Sequence, residues 1–320
     1  MLVSNRPEKE RRPPSTQAIR RAIWITLFAL VFLLLVFGGY YVWDRYVHLG
    51  DKSPLELDIE RMESAIRQDS QNPDARVVLA EYYLNRGMYE KALGQTDQVL
   101  SLYPENEGAL LISGIAHVRL NQPAAVLDPL EKFVALRQDR STASIDTALE
   151  TAYYFLGESY VKLGRPADAI RVLEAALTIS STDADALYQV GLAYQAMGQP
   201  QAALERYHKA VRLVPDFAEV YRGMIESYAA LNQPDYGVYA RGMEAFSLQD
   251  FESALTQLEQ ASKALQDFGP AFLGLGLTYE KTGQLEAALV AIQRALELNP
   301  HDFAAQQALG RIQAILNSQG

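Results

Sequence analysis

Two hydrophobic patterns divide this chain. From Ala22 to Trp43 no charged residue interrupts the sequence, and the block from Leu27 to Phe37 is apolar throughout. As a helix rising about 1.5 Å per residue, the run would span roughly 33 Å, enough to cross the hydrocarbon of a bilayer. A helix buried in a soluble protein normally keeps a polar stripe, and this run has none. A cleaved signal peptide has an apolar region of only about 7–15 residues that ends in small side chains; here the run ends in Tyr40-Tyr41-Val42-Trp43. Trp24 at one end and Tyr40, Tyr41 and Trp43 at the other suit the aromatic belts of a membrane interface. The pattern predicts an uncleaved signal-anchor, with a transmembrane helix over residues 22–43.

Beyond about residue 70 the apolar positions take a helical period and then recur at a longer one. One unit reads Leu187, Val190-Gly191, Tyr194, Gly198, Ala203, Tyr207, Ala210 and Pro215, and another reads Phe272, Leu275-Gly276, Tyr279, Gly283, Ala288, Ile292, Ala295 and Pro300. Further copies run through Leu79-Ala80, Tyr83 and Gly87 and through Leu156-Gly157, Tyr160 and Gly164, with weaker ones at Leu110, Gly114 and Asn121 and at Tyr221, Met224 and Asn232. This pattern of large residue, apolar-small pair, tyrosine, alanine, large residue and proline resembles the tetratricopeptide repeat, over roughly residues 70–316. The resemblance implies an all-α fold, an α-α superhelix in which each unit is a helix pair.

The columns have physical tasks. Small residues at 80, 114, 157, 191 and 276 let the two helices of a unit approach closely. Gly87, Asn121, Gly164, Gly198, Asn232 and Gly283 end first helices, where a left-handed cap favours Gly or Asn. Pro166, Pro200 and Pro234 then open second helices, where the missing N–H does little harm. Successive turn residues lie 34, 43, 34, 34 and 51 positions apart. The 43 places an insertion of nine in the polar stretch 137–144. The 51 adds half a repeat, so one extra helix falls between Asn232 and Gly283, with helices expected over 235–248, 250–264 and 270–282: either the solenoid divides near 232–268 or one irregular unit absorbs the helix. The favoured organisation is a disordered tail (1–21), the membrane helix (22–43), a tether (44–53), an N-terminal block (54–231) whose first helix, Leu55–Arg67, covers the front of the array, and a C-terminal block (232–320). That last block holds the irregular helix and ends in a capping helix from Phe303.

Charge sets orientation. Six basic residues precede the span and only Arg45 and Lys52 closely follow it, so the positive-inside rule puts the N-terminus in the cytoplasm and the repeats outside, in a periplasm or at the cell surface. The first 43 residues hold six basic and two acidic side chains of the chain's 29 and 39, which leaves 23 against 37 for the remainder. Nucleic acid is disfavoured as a partner for so acidic a domain. The absence of cysteine rules out thiol catalysis and structural cysteine–zinc clusters.

No catalytic constellation is legible. His48, His117, His208 and His301 lie in different units without metal-ligand spacing, and neither a phosphate loop nor a nucleophile elbow is present. The expectation is a non-enzymatic protein with no cofactor, no metal and no small-molecule substrate. Tetratricopeptide proteins usually bind a peptide or helix in a groove lined by their first helices. Here the resemblance assigns that lining to Val77 and Glu81, Leu111 and Ile115, Tyr154 and Glu158, Tyr188 and Leu192, Arg222 and Glu226, and Leu273 and Leu277: apolar with acidic spots. Chaperone-binding members place Lys and Asn at such positions to clamp a carboxylate, and this sequence departs from that pattern. An anchor followed by external repeats resembles bacterial proteins that assist secretion, outer-membrane or pilus assembly, or cytochrome maturation. The expected function is a scaffold or assembly factor whose partner is itself membrane-associated; the alternatives are a periplasmic chaperone-like accessory and a permanent subunit of a membrane complex.

Overall fold

The computed structural model describes residues 16–44, 54–69 and 72–319, which hold sixteen α-helices and no strand. They fall into two units, residues 1–70 and 71–320.

The first unit contains α1 (Thr16–Val42) and α2 (Pro54–Gln68). Within α1, Ile23–Val42 has a mean hydropathy of 2.4 and no buried residue, and it is the one described helix long and apolar enough to cross a membrane. The helix begins six residues before the apolar run, so the end of the stretch expected as a disordered tail is helical; Ala18, Arg20 and Arg21 are good helix formers. Residues 1–15, most of the expected tether (45–53) and His48 lie outside the described residues. Helix α2 forms where the periodicity predicts it, with Arg61–Asp58 and Arg67–Glu63 pairs at 3.4 and 3.6 Å along its exposed side.

In the second unit, antiparallel helix pairs follow one another. They are α3/α4 (Pro73–Asn85, Tyr89–Leu102), α5/α6 (Glu107–Arg119, Pro123–Arg137), α7/α8 (Thr147–Lys162, Pro166–Ile179) and α9/α10 (Ala184–Ala196, Pro200–Leu213). After them come α11 (Ala218–Ala230), α12 (Pro234–Ser247), α13 (Phe251–Ala264), α14 (Gly269–Lys281), α15 (Leu285–Leu298) and α16 (Phe303–Gln319). Side chains of Asn72, Asn106, Asp146 and Asp183 accept first-turn N–H groups of α3, α5, α7 and α9, which satisfies donors that a helix start leaves open. All six expected turn residues adopt positive φ, from 53° to 78°.

Close approach within each pair depends on the small column. A Cβ added at Gly114, Gly157, Gly191 or Gly276 would stand closer than 3.0 Å to Leu130, Leu173, Tyr207 or Ile292 respectively. Each of these partners lies sixteen residues further on and is fully buried. The same pairing recurs once more, between Gly242 of α12 and Leu258 of α13, and this locates the extra helix. Helix α12 packs extensively against both α11 and α13. It therefore closes one pair and opens the next, and the phase slips by half a repeat without a break in the core. The turn after it is made by Gln249 at φ 62°, at the boundary between the helices expected over 235–248 and 250–264. Alternate-helix contacts accordingly run along α3, α5, α7, α9 and α11, then restart along α12, α14 and α16. One hydrophobic cluster, including Met224, Tyr239, Met243 and Leu258, continues through the slip.

The nine-residue insertion forms the turn 138–146 with a short 3-10 segment, Ala143–Ile145. Arg137 holds Asp146 at 2.7 Å and Glu107 at 2.8 Å, and Arg140 also pairs with Glu107. The insertion is thereby tied to the start of α5 rather than left as a free loop.

Candidate protein-binding groove

The twelve positions assigned to the groove lie three residues before and one after the small column of a first helix. None of them is buried. The structure nevertheless separates them. Ten belong to the row α3–α11: Val77 and Glu81 on α3, Leu111 and Ile115 on α5, Tyr154 and Glu158 on α7, Tyr188 and Leu192 on α9, Arg222 and Glu226 on α11. Leu273 and Leu277 belong to α14, in the second row, half-buried against the cluster of α15 and α16 as Leu111, Tyr154 and Tyr188 are against theirs. The equivalent residues of α12, Tyr239 and Met243, are only 5% exposed, because α11 and α13 enclose that helix. The second row therefore does not prolong the first as one lining.

The floor of the first row is rigid where α9 meets α11. The Tyr207 hydroxyl donates to Gln195 Oε1, and Gln195 Nε2 donates to the Gly223 carbonyl at 3.0 Å. A Cβ at Gly223 would stand 2.6 Å from the Tyr207 ring, so helix, ring and neighbouring helix are in direct contact. Tyr188 lies over this floor, with ring centroids 5.3 Å from Phe217 and 6.1 Å from Tyr207. At the other end, a shallow pocket of about 460 Å³ between α3 and α5 is lined by Asp74, Val77, Val78 and the segment 105–108.

Four acidic residues beside the row escaped the sequence reading: Glu150, Asp183, Asp185 and Glu219. Burial raises the Glu150 carboxyl above its ordinary pKa, and neighbouring Asp183 adds to the rise. Burial likewise raises Asp185, with further repulsion from Asp183 and Glu219. The tyrosines sense the same field. Tyr154 is pushed well up by burial and then by Glu158, Asp185 and Asp183. Tyr188 is raised by burial and by Glu219 and Glu226, with Arg222 opposing. Arg222 is itself engaged by Glu244 at 3.0 Å, and Glu158 is the one carboxylate of this group with a lysine beside it, Lys162 at 2.7 Å. A signal was present: the first turns of α3, α5, α7, α9 and α11 each carry an acid, at 74, 107, 150, 185 and 219.

His117 Nδ1 meets Gln122 Oε1 at 2.8 Å, and the partly buried His208 meets the Tyr228 hydroxyl at 3.0 Å. Among the described residues no three His, Asp or Glu side chains gather as a metal site.

Comparison with known proteins bears on the fold. Residues 148–216 and 270–302 match the tetratricopeptide repeat. No curated protein matches the chain. Among solved structures, a MamA RS-1 double mutant aligns at 22% identity with a TM-score of 0.50, covering 57% of this chain and 97% of that one. Another MamA crystal structure aligns at 25% identity and a TM-score of 0.45, covering 60% and 94%. YrrB, described as a TPR protein with an unusual peptide-binding site, aligns at 20% and 0.43, covering 78% and 98%.

Proposed function

For a chain built from tetratricopeptide repeats behind one membrane-length apolar helix, we propose the role of a membrane-anchored, extracytoplasmic scaffold that holds a segment of a membrane-complex partner in its first row of helices. One observation carries this reading: ten residues on five consecutive first helices, apolar and aromatic ones among them, stay partly or fully exposed although their neighbours on the same helices are buried. Leu111, Tyr154 and Tyr188 rest on the core with one side and keep the other open, and this mix of aliphatic and tyrosine surface is what protein recognition uses. The anchor and its orientation rest on the uninterrupted apolar run and on the basic residues that precede it. A tether of ten residues, 44–53, would keep the groove near the bilayer and so favour partners that are in the membrane or close to it.

The test is co-purification from native membranes after crosslinking, with the full chain carrying Tyr154→Ser, Tyr188→Ser and Leu192→Ser. Partners should be lost while helix content by circular dichroism is kept. Because Tyr188 also packs on Phe217 and Tyr207, a second variant, Leu111→Ser with Ile115→Ser, probes the groove elsewhere. Unchanged partners in both folded variants would refute the groove. Orientation is checked by reporter fusions after residue 320, which should be active only outside the cytoplasm.

A further inference from the structure

The unit α5/α6 departs from the repeat twice, and both departures line one pocket. At the place just before the small column, α3, α7, α9, α11 and α14 carry Leu79, Leu156, Val190, Met224 and Leu275, all buried. Helix α5 carries Ser113 there, only 4% exposed. Where the others place a large apolar side chain, this unit opens a pocket of about 330 Å³ between α4, α5 and α6, with Ser113 in its lining. Among the described residues the Ser113 hydroxyl has no hydrogen-bond partner. The second departure is Pro129, buried inside α6. Proline has no N–H to give to the carbonyl four residues back, and here that carbonyl belongs to Ala125, which also lines the pocket. A buried hydroxyl and a backbone acceptor are thus both left without the partner that a regular repeat would supply.

The pocket does not belong to the groove. Leu110, Ser113 and His117 form one stripe of α5, at i, i+3 and i+7, and Ser113 lies about 200° around the helix from Leu111 and from Ile115. Its other walls come from the second helices, through Leu100 of α4 and Pro129 of α6.

The lining narrows the occupant. Leu110 and Pro129 make a buried apolar floor, while Asp97 and the Lys132–Asp128 pair, at 2.9 Å, are exposed at the mouth. A cationic head carried down to that floor would lose its water far from compensation. An aliphatic side chain would fill the space and leave the Ser113 hydroxyl and the Ala125 carbonyl unpaired, which costs more than a missing contact. A phenol meets both demands, with a ring for the apolar floor and a hydroxyl that donates and accepts. The His117 ring, fixed by Gln122 at 2.8 Å, adds an aromatic wall. The volume lies at the small end of ligand sites and suits a single side chain.

We propose that this pocket is a second docking site, on the face away from the groove, which takes one tyrosine side chain of a partner protein and pairs its hydroxyl with Ser113 and the Ala125 carbonyl. It does not rest on the groove reading.

The experiment uses the full chain in a zwitterionic detergent, labelled at its leucine methyl groups. It is titrated with p-cresol, the tyrosine side chain in isolation, and with toluene, free concentrations being corrected for uptake by micelles. p-Cresol should shift the Leu100 and Leu110 methyl resonances saturably and leave those of Leu275 in place. It should bind at least about tenfold more tightly than toluene, as expected when a buried hydroxyl would otherwise lose its partner. Ser113→Ala should bring the two ligands nearly level. Ser113→Leu installs the residue type of the other units, so a folded chain is expected, and it should abolish both shifts. A p-cresol shift that persists in Ser113→Leu, toluene bound as tightly as p-cresol by the unchanged chain, or no saturable shift at Leu110 would each overturn the proposal. In native membranes, crosslinked partners should diminish with Ser113→Leu. Full retention of partners by that variant would refute docking through the pocket, and the groove would still stand or fall on its own variants, whose residues line another face.

Discussion

Along α3 to α11, and again on α14, the residues three before and one after each small position stay half-buried or exposed; on α12 the same two places are taken by Tyr239 and Met243 and are closed over. The two rows share the small column and its sixteen-residue partner. They differ in surface because exposure depends on which helix lies alongside, and that changes where α12 serves two pairs. The charges differ as well: the first row crowds carboxylates around tyrosines, while the second pairs Glu280 with Arg311 at 2.9 Å. A repeat register thus identifies equivalent positions without guaranteeing equivalent roles.

The sharpest way to break the comparison is Gly242→Val. A Cβ there would stand 2.6 Å from Leu258, and overpacking of this kind destabilises by about 1–3 kcal/mol. Because α12 belongs to two pairs, hydrogen-exchange protection should fall on α11 and α13 alike. Gly276→Val should perturb α14 and α15 and leave α11 protected. Exchange confined to α12 and α13 in the Gly242 variant would show that α11 does not depend on the shared helix.

Next in size is Glu107→Gln, expected to lower stability by about 1 kcal/mol at neutral pH, as for a partly screened carboxylate with two arginine partners. The hydrogen bond from Arg140, and then the charges of both arginines, hold Glu107 below its ordinary pKa. Its contribution is therefore complete above the ordinary glutamate range and disappears as pH falls through the folded value. Thermal melts at pH 7 and pH 3 should show the difference between variant and parent shrinking. A difference that is constant with pH would mean that the insertion is held by packing instead.

Gln249→Gly should raise stability by about 0.5–1 kcal/mol, since glycine relieves a left-handed backbone at φ 62°. A loss would indicate that the Gln249 side chain has a compensating contact. The smallest effect belongs to Glu150→Gln, a gain of a few tenths of a kcal/mol at pH 7 by removal of a crowded charge. Here the sign is opposite to that of Glu107: a carboxyl raised in the folded state is least unfavourable when protonated, so the gain should vanish as pH falls below the ordinary glutamate range. A gain that persists at low pH would point away from electrostatics.

Much of the fold was legible because its determinants are local. Gly87, Asn121 and the other four turn residues were readable from backbone preference alone, and the small column from the tight contact it must allow. The nine-residue insertion and the half-repeat slip were both visible as arithmetic. The helices around the slip were legible too, at 235–248, 250–264 and 270–282; what was not legible is that the first of them serves two pairs, because Gly242 lies seventeen positions out of step with Ile225. The groove was legible as positions but not as a surface. Nothing in the spacing tells that Tyr239 and Met243 are enclosed, that Arg222 turns to Glu244, or that acids a full repeat apart in sequence face one another across α7, α9 and α11. Those are long-range juxtapositions, which helical periodicity does not encode.

The aromatic residues at the ends of the apolar helix have a spectroscopic consequence. Trp24 and Trp43 are the only two tryptophans in the chain, while fifteen of the eighteen tyrosines lie after residue 70. Emission excited at the red edge of the indole band will therefore come from the two ends of the apolar segment alone. A single tryptophan placed in the groove of a variant with phenylalanine at 24 and 43 would be a reporter without background, able to register the arrival of a partner segment in the light of one residue.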